Sequence, residues 1–248
     1  MHRKLFRNGL VLCAAAYLAL DACAALAQST PTTETLVFVR HGEKPADVDN
    51  GQLTCQGFNR SIALATVLLS RFGMPNYLFA AEPVEKQDDN GNNYYYLRAL
   101  ATIEPTAVAA GQTVNLKYDK SDIDGMENEL MKSTYQSSLV FVAWEHTEMD
   151  ELVANIVHDN GGDSSVVPAW PDDDYDSIFV VTLVRSNNQT LTSFFHDFEG
   201  LDNQGTVCPS GIPNGRPPQP LLLPHVRAKP LAGIKSPAFV SEASRASS

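Results

Sequence analysis

Short apolar runs and longer stretches of helical spacing alternate along the chain. Thr35–Val39 (Thr-Leu-Val-Phe-Val) is continuously apolar or β-branched, the pattern of a strand buried on both faces of a parallel sheet. It stops at Arg40-His41-Gly42. Apolar residues then recur at Ile62, Ala65, Val67, Leu68 and Leu69, which predicts a helix capped by Thr54 and stopped by Gly73 before Pro75. A second strand is predicted over Tyr77–Ala80 and a polar, Gly/Asn-rich loop over 85–93. Further helices are predicted over Arg98–Ala110, Met126–Lys132 and Met149–His158. Leu139–Ala143 is another buried strand and ends at Trp144-Glu145-His146. Ser177–Val184 and Leu191–Phe198 form a candidate hairpin across Arg185-Ser186-Asn187-Asn188. This alternation predicts an α/β fold with a largely parallel sheet.

Both ends depart from the pattern. His2, Arg3, Lys4 and Arg7 precede an apolar run from Leu10 to Ala25, and Ala25-Leu26-Ala27 offers the small-x-small pattern of a cleavage site. Residues 1–27 therefore read as a signal peptide, with Gln28 the first mature residue and no membrane attachment after cleavage. The run is short for a bilayer span. Leu20-Asp21-Ala22-Cys23 only loosely matches a lipoprotein site, and Asp21 fits it poorly, so no lipid anchor at Cys23 is expected. At the other end, eight of the 15 prolines lie between Pro209 and Pro237. Residues 209–248 read as an extended or partly disordered tail, leaving 28–208 as the folded domain.

Composition narrows the function. The chain carries 18 Lys+Arg against 29 Asp+Glu, a net charge of -11. Signal cleavage removes three of the basic residues (Arg3, Lys4, Arg7) and one acidic residue (Asp21), so -11 becomes -13. Such a balance argues against nucleic acid and against anionic lipid as partners. It is compatible with a small phosphorylated substrate, which needs only a local cationic pocket. Cleavage also leaves Cys55 and Cys208 as the only cysteines. Two cysteines in an exported chain invite one disulfide. Neither has metal-ligand spacing, and no metal or cofactor is expected.

In open α/β sheets, ligands bind at the carboxyl ends of strands. Two predicted strands end in histidine, at His41 and His146, and Arg98 opens a helix after a third strand and loop. Two histidines with Arg40 and Arg98 at one sheet edge suit a tetrahedral dianion: guanidinium groups pair with phosphate oxygens, and an imidazole can attack phosphorus once those oxygens are neutralised.

The motifs resemble those of the histidine phosphatase superfamily, which includes phosphoglycerate mutases and histidine acid phosphatases. Leu-Val-Phe-Val-Arg-His-Gly-Glu-Lys-Pro (36–45) is similar to its signature, Leu53-Thr54-x-x-Gly57 to its next motif, and Arg98-x-x-x-Thr102 to its third. Trp144-Glu145-His146 falls where its second catalytic histidine is expected. The resemblance spans roughly 35–200 and implies a three-layer, phosphoglycerate mutase-like sandwich. It implies that His41 is the nucleophile, with Arg40, Arg98 and His146 holding the phosphoryl oxygens. Lys44 falls where one branch has an additional phosphate-pocket arginine.

A carboxylic acid for the leaving group is less plain, because Thr147 stands where one branch has Asp. Glu145, Glu148, Asp122 and Asp124 are the candidates, with a slight preference for Glu145. His158, His196 and His225 read as structural or surface residues, Trp144 as packing at the pocket wall, and Tyr94-Tyr95-Tyr96 as a strand entering the site with alternate rings buried. Asp172-Asp173-Asp174 reads as a solvated acidic turn. The expected function is hydrolysis of a small phosphomonoester by an exported or periplasmic enzyme. The alternative is a catalytically weak phospholigand-binding protein of the same fold. A mutase ranks last, because its bisphosphorylated intermediate belongs to cytoplasmic metabolism.

Overall fold

A computed structural model describes residues 30–87 and 91–209. The expected signal peptide and the tail after Pro209 lie outside the described residues.

Six strands form one sheet in the order β5-β2-β6-β1-β7-β8: Thr32–Arg40 (β1), Tyr77–Ala80 (β2), Val114–Asn115 (β5), Leu139–Trp144 (β6), Ser177–Ser186 (β7) and Gln189–Phe198 (β8). The first four in that order run parallel, and β7 and β8 add antiparallel pairings. Leu36 to Val39 and Val140 to Ala143 are fully buried, so the two central strands are covered on both faces. Helices α1 (Cys55–Phe72) and α2 (Arg98–Ala110) pack together, with α2 on β2, β5 and β6. Helices α3 (Ile123–Leu130) and α4 (His146–Asp159) pack together, with α4 on β1, β7 and β8. The result is a three-layer α/β sandwich with a mostly parallel sheet.

Local chemistry explains the boundaries. Thr54 caps α1 by accepting from the Gly57 N–H at 3.1 Å. Asn187 and Asn188 both take positive φ, 51° and 62°, in the two-residue turn that joins β7 to β8. The segment 85–93, expected as loop, is partly paired: Glu85–Gln87 (β3) meets Asn93–Tyr95 (β4) in a small hairpin. Its exposed polar residues carry no strand-like apolar alternation. Helix α4 starts three residues earlier than its apolar spacing predicts, because Glu145 caps it by accepting from the Thr147 N–H at 2.9 Å.

Cys55 and Cys208 are bonded across a sequence separation of 153. Closing a loop of that size removes chain entropy worth about 5 kcal/mol from the unfolded state. Asn59 reinforces the joint by donating to the carbonyls of Gly205 and Val207 at 2.6 and 2.8 Å.

Candidate active site

Adjacency of β1 and β6 brings the two histidine motifs together. Arg40 is in register with Trp144, and the His41 N–H donates to the Trp144 carbonyl at 3.0 Å. The chain turns at Gly42, where a Cβ would lie 2.8 Å from the Gly57 carbonyl oxygen. A Cβ on Gly57 would in turn meet the Glu43 carbonyl oxygen at 2.5 Å. Two glycines thus let the post-strand loop lie flat against the first turn of α1. Thr102 Oγ1 accepts from the Gly42 N–H at 2.9 Å and donates to the Arg98 carbonyl, also at 2.9 Å. Arg60 of α1, 1% exposed, reaches Glu43 through both Nε and Nη2 and also pairs with Asp176 and Glu199.

His41 is 2% exposed. Its Nδ1 lies 2.8 Å from the Gly42 carbonyl, which can only accept, so Nδ1 carries the proton and Nε2 is the nitrogen with the free lone pair. Burial lowers its pKa to about 3 against the Gly42 bond, assisted by the positive charge of Arg98 and Arg40. The imidazole is therefore neutral at neutral pH. Tyr96 meets it edge-on and Tyr175 obliquely, both with ring centroids 6.2 Å away.

Arg40 stacks on Tyr175 with its guanidinium carbon 4.0 Å from the ring centroid. Its Nη1 donates to the carbonyls of Pro171, Asp172 and Asp174 at 3.2, 2.8 and 2.6 Å. That nitrogen is committed to the 171–174 loop, whereas the buried Nε has no hydrogen-bond partner among the described residues. Arg98, also buried, donates from Nη1 to Asp49 Oδ1 at 2.7 Å and lies over the Tyr96 ring.

His146 opens α4. Its Nε2 is 2.8 Å from Asp172 Oδ1, and its Nδ1 is 2.5 Å from Glu145 Oε1, an ion-pair distance without hydrogen-bond alignment. Burial disfavours its charge, but Glu145 and Asp172 outweigh that and raise its pKa, so it holds a proton more readily than free imidazole.

The acid candidates separate. Burial alone would raise the Glu145 pKa, yet His146, Glu148 and the Thr147 N–H hold it well below the ordinary carboxylate range. Glu145 is thus an N-cap of α4 and an ion-pair partner of His146. Burial, and then the neighbouring Glu145, push Glu148 upward against the pull of Lys120. Of the two, Glu148 is the carboxyl whose proton affinity is raised, while Lys120 pairs with its Oε1. Asp122 caps α3 through the Gly125 N–H, and Asp124 lines a separate cavity beside Asp159 and Arg185.

A cavity of about 750 Å³ is lined by Lys44, Asp47, Asp49, Asp172, Asp173 and Tyr175, among others. Lys44 is exposed on its wall. Asp172 is exposed in a turn, as expected, yet its side chain contacts His146 while its own carbonyl accepts from Arg40. Tyr96 is buried and Tyr95 is 57% exposed, as alternation predicts. His196 is structural: its Nε2 meets Ser177 Oγ at 2.7 Å, beside Asp174. The sequence did not mark Asp49, Asp172, Tyr175 or Arg60 as site residues. Their partners lie 49, 26, 135 and 17 residues away, and no local motif records the pairings.

No family model matches the chain, and no curated protein matches it. Solved structures do resemble it. A mycobacterial glucosyl-3-phosphoglycerate phosphatase shares 14% identity at a TM-score of 0.42, over 64% of this chain and 100% of that one. Phosphoglycerate mutase from Plasmodium falciparum shares 10% at 0.42, over 66% and 91%. A variant phosphoserine phosphatase from Entamoeba histolytica, solved with phosphoserine, shares 9% at 0.42, over 68% and 98%. Likenesses this distant carry no assignment of activity, which has to rest on the site itself.

Proposed function

We propose that the chain is an exported phosphatase that hydrolyses a small phosphomonoester through a phosphohistidine on His41. The carrying observation is the His41 tautomer: Nδ1–H is tied to the Gly42 carbonyl, which leaves Nε2 as a neutral nucleophile beside Arg40, Arg98 and a readily protonated His146. Arg98, His146 and Arg40 receive the phosphoryl oxygens. Nε2 attacks phosphorus, the bond to the leaving oxygen breaks, and Glu148 gives that oxygen its proton. Water then attacks the phosphorus of the P–N intermediate, Glu148 takes up a proton, and His41 and inorganic phosphate are released. Export is supported by the N-terminal sequence pattern and by the Cys55–Cys208 bond, which suits an oxidising compartment.

A second reading, a phospholigand-binding protein with little turnover, is favoured by Thr147 standing where an acid is expected. Turnover of an activated aryl phosphate separates the two. The wild type should release phosphate, and His41→Ala should lose several powers of ten in kcat, each worth about 1.4 kcal/mol of barrier. A His41→Ala rate within a few-fold of wild type overturns the assignment.

A further inference from the structure

The cationic groups assigned to the phosphoryl group already hold anions. We propose that Asp49 and Asp172 are built-in occupants of the anion site, which a phosphoryl dianion must displace and which set the threshold for what binds there. The inference rests on the reading that Arg98 and His146 bind the phosphoryl group.

The geometry is that of a filled site. Asp49 Oδ1 accepts from Arg98 Nη1 at 2.7 Å, Tyr94 Oη donates to its other oxygen at 2.9 Å, and Asp172 Oδ1 sits 2.8 Å from His146 Nε2. These are charge-assisted contacts of the kind a phosphate oxygen would make. The partners are unequal in burial. The Arg98 and His146 side chains are 6% and 9% exposed, whereas those of Asp49 and Asp172 are 42% and 99% exposed. A buried cation that lost its partner would suffer desolvation without compensation, but an exposed carboxylate can turn into water with little cost. The carboxylates are therefore the mobile half of each pair.

The backbone beneath them is held. The Asp172 carbonyl accepts from Arg40, and the carbonyl of Gly51, two residues after Asp49, accepts from the Leu97 N–H at 3.0 Å. Displacement then needs only side-chain rotation into the cavity that both residues line. Charge also balances. Two departing carboxylates carry the same charge as one phosphomonoester dianion, whereas a monoanionic diester would leave the buried cations one charge short. Asp49 and Asp172 thus favour monoesters over diesters.

Calorimetric titration with inorganic phosphate tests this without requiring turnover. Asp49→Asn and Asp172→Asn should each tighten phosphate binding by about five- to tenfold, and the double variant by more, as expected when a charged hydrogen-bond partner is removed. Asp172→Ala gives the same test without an amide that could re-form the contact. Asp173→Asn removes the same charge from the same cavity wall and should change affinity by less than about twofold. Unchanged or weaker binding in the Asp49 and Asp172 variants overturns the proposal, as does equal tightening by Asp173→Asn. If the wild type binds phosphate but turns over no aryl phosphate, the phosphatase reading fails and this one stands. If it binds no phosphate, the anion site falls and this inference with it.

Discussion

The two halves of the site are built in opposite ways. The nucleophile's side is made of buried backbone: His41 hangs from Trp144, Gly42 rests on Thr102 and Gly57, and Glu43 is gripped by Arg60. The anion's side is closed by exposed side chains on loops, with Asp49 on Arg98 and Asp172 on His146. The contrast follows the chemistry. A nucleophile must be aimed within a fraction of an ångström, which only a packed cradle can enforce. A ligand must enter and leave, so the groups covering its site have to yield. Damage to the cradle should therefore appear in kcat, and changes at the rim in affinity.

The largest effect expected short of removing His41 is that of Glu148→Gln, and it should depend on the leaving group. Turnover of alkyl phosphates should fall by about 10²–10⁴-fold, while an activated aryl phosphate, which needs no protonation, should lose far less. Equal losses on both substrates would remove Glu148 as the acid. Gly57→Ala comes next. Its Cβ would press on the Glu43 backbone and shift the His41 loop, so kcat should drop about a hundredfold with phosphate affinity largely kept. A drop below threefold would show that the cradle tolerates movement. Thr102→Val removes the acceptor of the buried Gly42 N–H and should cost about 1–3 kcal/mol of stability, read by denaturant unfolding, and about tenfold in kcat.

The smallest effect is a displacement in pH. His146 gains its raised pKa from Glu145 and Asp172, so anion binding should persist above the ordinary histidine range and weaken as pH rises through that raised value. Glu145→Gln should move the alkaline limb of kcat/KM to lower pH. His41 should not set the acidic limb near neutrality, because its pKa lies at about 3. An alkaline limb unmoved by Glu145→Gln would mean that another group titrates there.

Legibility in the sequence follows the same division. The apolar run before Arg40, the Thr54 cap, the Gly73 stop and the Asn187-Asn188 turn are decided by neighbours in the chain, and each is where the pattern placed it. The places of Arg40, His41, Arg98 and His146 in the fold were legible because each stands at or beside an element's end within a recognisable motif. The first turn of α4 was not, since its start depends on one side-chain cap rather than on apolar spacing. Nor were Asp49, Asp172 and Arg60, whose roles exist only once distant segments meet. The choice among the acid candidates stayed open in the sequence for a related reason. Glu145 and Glu148 are alike in sequence, and only the charge and burial around them, with His146 on one side and Lys120 on the other, shift their proton affinities in opposite directions.

The central claim is that His41 Nε2 becomes covalently bonded to phosphorus during turnover. Rapid quench into alkali, which preserves a P–N bond, followed by peptide mass spectrometry tests it directly. A phosphoryl adduct is expected on the peptide containing His41, formed within a single turnover, released by acid, and missing from His41→Ala. Steady turnover without any adduct, or an adduct on a different residue while His41→Ala keeps its rate, would contradict it.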